Sequence, residues 1–284
     1  MRSPFILFLL VAVPAAAQPG TLDPTFSGDG KVLINANAWY DEINAVVVQP
    51  DGKTVGAGYW GDGNYASVLV ERLLQDGTPD VGFGTAGVVA TPAQAFFHYG
   101  YGVGVQSDHH VVVAGLAYDD VMDGNVVLLR YTQNGVLDNT FGINGIVNTD
   151  LGGPVGFQSA YGMRILSDDK VLVVGQESES GLMCARFTAD GILDSTFGVN
   201  GVARAGVSFS TGLCLDVQDD GTIIAGGYVV GDESDWLLAM FTADGVLVPG
   251  FGNSGVFTIN LNGLGAETMR GVCFTEDGGI AACG

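Results

Sequence analysis

Positive charge is scarce in this sequence: 10 Lys and Arg stand against 31 Asp and Glu, for a formal net charge of −21. A nucleic-acid partner is excluded, because phosphates are neutralised by Lys and Arg. A polybasic membrane anchor is excluded for the same reason. Charge of either sign is sparse, at 14% of residues, while 47% are hydrophobic. That balance excludes a disordered chain. There are four cysteines, Cys184, Cys214, Cys273 and Cys283, without metal-type spacing. They read as small apolar strand residues rather than a disulfide scaffold, and one disulfide such as Cys214–Cys273 stays open in an exported protein. The histidines are His98, His109 and His110. The adjacent pair in a turn-strand junction points apart, which disfavours zinc. No G-x-S-x-G elbow or P-loop occurs.

The single long apolar run is N-terminal. Met1-Arg2 is followed by an apolar stretch from Phe5 to Val13 and by Ala15-Ala16-Ala17 before Gln18. This reads as a signal peptide over residues 1–17, cleaved near Ala17. The stretch is shorter than the ~20 residues of a membrane span. Residues 18–284 are therefore expected to be exported without a membrane span, to the exterior or the cell surface.

Glycine is abundant: 45 residues, more than twice the usual ~7% share. It follows a long period rather than a G-x-y triplet. A segment beginning Gly20-Thr21-Leu22-Asp23-Pro24-Thr25-Phe26 recurs around Phe83, Phe141, Phe197 and Phe251, at spacings of 57, 58, 56 and 54 residues. A Gly lies six before each Phe and another four after. A second block gives the column Asp51, Asp108, Asp168, Asp220 and Asp277, each followed seven residues later by Gly58, Gly115, Gly175, Gly227 or Gly284. Between the blocks, apolar residues alternate. Val46/Val48 correspond to Val103/Val105, Met163/Ile165, Leu215/Val217 and Val272/Phe274, the pattern of a strand with one buried face. The column Ala45, Gly102, Gly162, Cys214 and Gly271 is always small, which suits an innermost strand.

Each unit thus holds four short strands, in the first copy near Lys31–Asn35, Ala45–Gln49, Thr54–Gly58 and Ser67–Leu73. The expected fold is all-β: a β-propeller of ~56-residue four-stranded repeats, with four complete blades and a partial fifth. The sequence stops at Gly284, before the strand that carries Arg72, Arg130 and Arg186 in earlier copies. That reads as part of a longer protein. Blade number, ring closure and oligomeric state are not legible.

The pattern G-x-L-D-x-x-F-G-x-x-G-x-V, with a Q-x-D-G-K turn midway, resembles the delta-60 repeat of secreted bacterial proteins. Gly135 to Gly145 and Gly191 to Gly198 match it closely, and the resemblance spans residues 18–284. It implies a propeller-like fold, a secreted or surface setting and no established activity. The departures are local: Val248 replaces the Asp, Ser27 a Gly, and His109 and Asp169 the turn Gly.

Up-and-down strands give the unit two rims. One carries the repeated turns, whose Asp23, Phe26, Asp80, Phe83, Asp138, Phe141, Asp194, Phe197 and Phe251 are read as structural. The other differs in every copy and collects aromatic and acidic residues, including all three Trp. The candidate ligand residues there are Trp39, Tyr59, Trp60, Asp62, Tyr118, Asp232 and Trp236, since variable loops on a rigid scaffold are where binding sits. Oxygen donors Asp119, Asp120, Asp123 and Asn125 make Ca2+ the one cofactor to weigh, although the spacing is not that of an EF-hand. The function read from this pattern is a secreted or surface module binding carbohydrate or another surface protein. The alternatives are a structural or adhesive repeat segment and, behind it, a carbohydrate-active enzyme for which no catalytic constellation is present.

Overall fold

The computed structural model describes residues 20–34, 40–61, 65–92, 97–118, 124–151, 156–178, 180–231, 234–260 and 266–284. The leader read over residues 1–17 lies outside them. Among the described residues every regular element is a strand. The first sheet comprises β1 (Tyr40–Val48), β2 (Thr54–Gly61), β3 (Ala66–Leu73) and β4 (Val88–Thr91). The second comprises β5 (Phe97–Val105), β6 (Val111–Tyr118), β7 (Gly124–Tyr131) and β8 (Ile146–Thr149). The third has β9 (Gln158–Ile165), β10 (Val171–Glu177), β11 (Gly181–Phe187) and β12 (Val202–Arg204). The fourth has β13 (Ser210–Val217), β14 (Ile223–Val230), β15 (Ser234–Phe241) and β16 (Val256–Ile259). β17 (Gly271–Phe274) and β18 (Ile280–Cys283) form a two-stranded sheet. Within each sheet neighbouring strands are antiparallel, and one parallel bridge, Ala66 to Phe97, joins the first sheet to the second.

The sheets are displaced by one strand from the sequence repeats. The strand after each L-D-x-x-F-G turn pairs backwards, β4 on β3 and β8 on β7. The turn itself forces this. Asp80 N donates to Arg72 O at 2.9 Å and Arg72 N to Gly87 O at 2.8 Å, so the chain folds onto the strand it has just left. Of Lys31–Asn35, expected as the opening strand of the first unit, the described residues 31–34 lie outside every ladder. The hairpin turns keep their left-handed residue even where glycine is replaced: φ is 67° at His109 and 63° at Asp169, against 80° at Gly52.

Each of β1, β5, β9 and β13 contains a bulge at one column, leaving Asn44, Tyr101, Tyr161 and Leu213 as the extra residues. The conserved spacing of Gly58, Gly115, Gly175 and Gly227 follows directly. A Cβ at those positions would strike the backbone carbonyl of Glu42, Tyr99, Ser159 or Thr211. The four bulged strands together line a central cleft of about 450 Å³.

The apolar core lies between successive sheets. Val55, Ala57, Val68 and Val70 of the first pack with Val103, Val111, Val113, Val127 and Leu129 of the second. The same arrangement recurs from second to third and from third to fourth. At β1 the expectation of a buried face is overturned: Val46 and Val48 are 61% and 66% exposed, whereas Val103 is 9% exposed. Their column faces the preceding sheet in each later copy, and no described sheet precedes β1.

Candidate functional site

The two ends of the sheets are built from different chemistry. At the repeated-turn end, one arrangement occurs three times. Arg72 Nε donates to Asp80 Oδ2 at 2.9 Å, its guanidinium lies 4.5 Å from the Phe83 ring centre, and Nη1 donates to Gln133 O of the next sheet at 2.8 Å. Arg130 repeats this with Asp138, Phe141 and Ala189 O, and Arg186 with Asp194, Phe197 and Ala243 O. Each Phe reaches across to the next turn, where a Cβ on Gly135, Gly191 or Gly245 would crowd its ring. The carboxylates are held low. At Asp194 the Thr196 hydroxyl and N–H, with Arg186, outweigh burial and bring the pKa to about 2. At Asp80 and Asp138 burial pushes upward, but N–H donors and the neighbouring cations prevail. Each arginine bonds its own aspartate and a backbone carbonyl of the next sheet, so this end clamps sheet to sheet.

The first and last copies depart from the pattern. Asp23 is exposed and bonds only its own turn, through Thr25. Phe26 nevertheless packs where the turn of the first sheet carries Gly77, and Ser27 N donates to Asp76 O at 2.6 Å. In the last, Phe251 joins an apolar cluster with Trp236, Leu238 and Met269.

The opposite end carries a band of tyrosines. Tyr40 meets Tyr59 edge-on at 6.0 Å, and Tyr59 meets Tyr99 at 4.7 Å. From Tyr99 one branch runs to Tyr118 (6.3 Å) and Phe157 (5.8 Å further on). The other stacks inward on Tyr101 (6.1 Å) and reaches Tyr161 (5.1 Å from Tyr101). The inner branch ends in a cavity of about 510 Å³ lined by Asn44, Tyr101, Tyr161, Thr211, Leu213, Tyr228 and Arg270. Tyr59 donates to Glu42 Oε2 at 2.6 Å, and that bond first, with burial second, raises its phenol to about 12. Burial likewise raises Tyr101 and Tyr161. These rings therefore present apolar faces and protonated hydroxyls, the amphipathic surface that tyrosine supplies at binding sites.

Of the ligand residues read from sequence, Tyr59 and Tyr118 sit in this band. Trp60 follows Tyr59 on β2 and so projects to the other face; its Nε1 is buried with no acceptor among the described residues. Trp236 is likewise off the band. It packs toward the two-stranded sheet, beside an apolar groove of about 350 Å³ that also holds Phe257, Ile259 and Ile280. Trp39, Asp62 and Asp232 lie outside the described residues, as do Asp119, Asp120 and Asp123 of the calcium reading; Asn125 pairs with Ala117 in β6–β7. No group of three or more His, Cys, Asp or Glu side chains suited to a metal occurs among the described residues. Their cysteines are all free thiols. Cys214 contacts Gly226 O, and its neighbouring thiol is Cys283 rather than Cys273. Sequence reasoning missed Tyr101, Tyr161 and Tyr228. For Tyr101 and Tyr161 the signal was the column before the small residues, Asn44, Tyr101, Tyr161, Leu213 and Arg270, whose direction in the first four copies only the bulge reveals.

A family described as a domain of unknown function (DUF5122) beta-propeller matches residues 49–83, 106–141 and 218–251. These matches fall on three of the turn-and-hairpin units described above. Over those residues the chain is similar to β-propeller repeats. In that comparison the four-stranded sheets correspond to blades, the clamp joins one to the next, and the tyrosine band lies across the opposite end. No curated protein matches the chain. Among solved structures, a protein of unknown function from Dyadobacter fermentans is similar, with TM-score 0.47 and 13% identity over 78% of this chain. The chain spans 65% of that structure's length. A glucose dehydrogenase is similar at TM-score 0.40 and 12% identity, with 84% of this chain and 92% of that one covered. No helix among the described residues is long and apolar enough to cross a membrane.

Proposed function

We propose that this protein is a secreted or cell-surface binding module of the delta-60 type, and that its ligand is a carbohydrate held on the tyrosine band. The observation that carries this reading is the unbroken aromatic path from Tyr40 in the first blade through Tyr99 and Tyr118 to Phe157 in the third. Such a surface stacks against the apolar faces of sugar rings, while its hydroxyls hydrogen-bond the ring substituents. It sits on strands rather than loops, so its geometry is preorganised. The signal-peptide pattern at residues 1–17 supports export.

The test is a glycan array on the purified protein, with calcium and with chelator. Specific retention that is lost in Tyr99→Ala, with an unchanged thermal melt, supports the reading. A blank array from a folded sample overturns it. The second reading, a structural or adhesive repeat segment, is favoured by the exposed apolar face of Val46 and Val48; it predicts that blank array.

A further inference from the structure

We infer that the cavity at the inner end of the tyrosine band is a subsite for a saccharide bearing a carboxylate, a uronic acid residue. The inference rests on the carbohydrate reading above and adds to it the charge of the ligand. A β-bulge re-aims the side chain of its extra residue. Here one bulge per inner strand brings Asn44, Tyr101 and Tyr161 to a common cavity, and Arg270 takes the corresponding column in the fifth copy. Tyr228 and Thr211 complete the polar lining. At about 510 Å³ the space falls in the usual range for small-molecule sites.

The lining selects among sugars. Tyr101, Tyr161 and Tyr228 offer flat faces with hydroxyl edges, and Asn44 and Thr211 offer a donor and acceptors. Arg270 is the one charged residue among the described lining residues, and none of the ion pairs between described residues involves it. A guanidinium pairs a carboxylate through two parallel hydrogen bonds. A neutral sugar leaves that capacity unused, and a cationic ligand is repelled. The phenols of Tyr101 and Tyr161 are protonated at neutral pH, as any phenol with an ordinary value near 10.0 is, and burial raises them further, so they can donate to an anion. The acidic surface elsewhere does not forbid this, because exposed charge is screened beyond ~8 Å at physiological salt.

Calorimetric titration tests the inference on the purified protein, with digalacturonate and a hyaluronan disaccharide as probes. Their methyl esters and lactose serve as neutral comparisons. The expected result is that at least one acid binds and that its methyl ester binds at least tenfold more weakly. Arg270→Gln is expected to give the same loss, and Arg270→Lys a smaller one. The ester comparison uses the unaltered protein, so it stands even where a variant fails to fold. Equal affinity for acid and ester, with no effect of Arg270→Gln, overturns the inference and leaves the carbohydrate reading intact. Failure of both acids to bind overturns the inference, and only a blank glycan array overturns the carbohydrate reading with it.

Discussion

Met240 and Val248 occupy in the fourth blade the places that an arginine and an aspartate occupy in the three before it. The backbone bond is the same: Val248 N donates to Met240 O at 2.9 Å, as Asp194 N does to Arg186 O at 2.8 Å. The side chains have changed together, from an ion pair to two apolar groups, and Met240 packs against the cluster of Trp236, Leu238 and Phe251. Within one protein the same turn is thus solved in two ways. A partly buried ion pair gains little over a well-packed apolar pair, but half of it is worse than either, because the remaining charge keeps its desolvation cost.

That comparison makes a quantitative expectation for the third blade. Asp194→Val alone leaves Arg186 beside an apolar residue and should cost about 3 kcal/mol. The double variant Arg186→Met with Asp194→Val copies the fourth blade and should recover most of that loss. Urea unfolding of both singles and the double gives the coupling. A double variant as unstable as the sum of its singles would contradict the account.

Acid should loosen the clamps before it loosens the apolar core. Asp80, Asp138 and Asp194 all titrate below the ordinary aspartate value of 3.8, Asp194 at about 2. A carboxylate lowered by folding stabilises the fold above its unfolded value, and that contribution is lost as pH falls toward the folded value. Stability should therefore be steady from neutral pH down to about pH 4 and decline between about pH 4 and pH 2. Asp194→Asn should start less stable at pH 7 and decline less steeply over that window. Denaturant midpoints measured at pH 7, 4, 3 and 2 check both statements.

The repeat, its four strands and its two chemically distinct ends were legible because they rest on residues recurring at fixed spacing. Gly58, Gly115, Gly175 and Gly227 announce a position where only a hydrogen fits, and the Asp-Phe turn announces a closed local structure. The assignment of each first strand to its own unit failed, because the turn carries the chain back to the blade behind it, and nothing local in Lys31 to Ile34 says which neighbour is absent. The tryptophans Trp60 and Trp236 lie off the tyrosine band for a related reason. Trp60 and Tyr59 are adjacent in sequence, yet a strand sends them to opposite faces. Tyr101 and Tyr161 were unreadable as site residues because a bulge breaks the alternation that would have placed them.

The hydrogen bond from Tyr59 to Glu42 joins the two inner strands of the first blade under the tyrosine band. It raises the Tyr59 phenol to about 12. Glu42→Gln removes the anion that opposes ionisation, so Tyr59 should then titrate closer to its ordinary value of 10.0. Chemical-shift titration of ring-labelled tyrosine resolves this residue from the others. Tyr59→Phe should leave the melt within about 1 kcal/mol of wild type, since a mostly solvent-facing hydrogen bond contributes about that much. An unmoved Tyr59 titration in Glu42→Gln would mean that burial, not the carboxylate, sets its value.

Two glycines separate steric exclusion from backbone preference. Gly175 lies opposite the bulge at Tyr161, where a Cβ would run into the backbone carbonyl of Ser159. A carbonyl held in a ladder cannot rotate away as a side chain would. Gly206 has φ of 70° with nothing within 4 Å of the added atom. Gly206→Ala should therefore cost only the left-handed penalty, about 1–2 kcal/mol. Gly175→Ala should cost more, at or above about 3 kcal/mol. Its damage should also spread, because the strand must shift at the residue that aims Tyr161 into the cavity. Thermal melts rank the two variants, and saccharide titration of any folded Gly175→Ala protein reads the second effect. If Gly175→Ala melted with wild type, the bulge would not depend on glycine, and the recurrence of that column would need another cause.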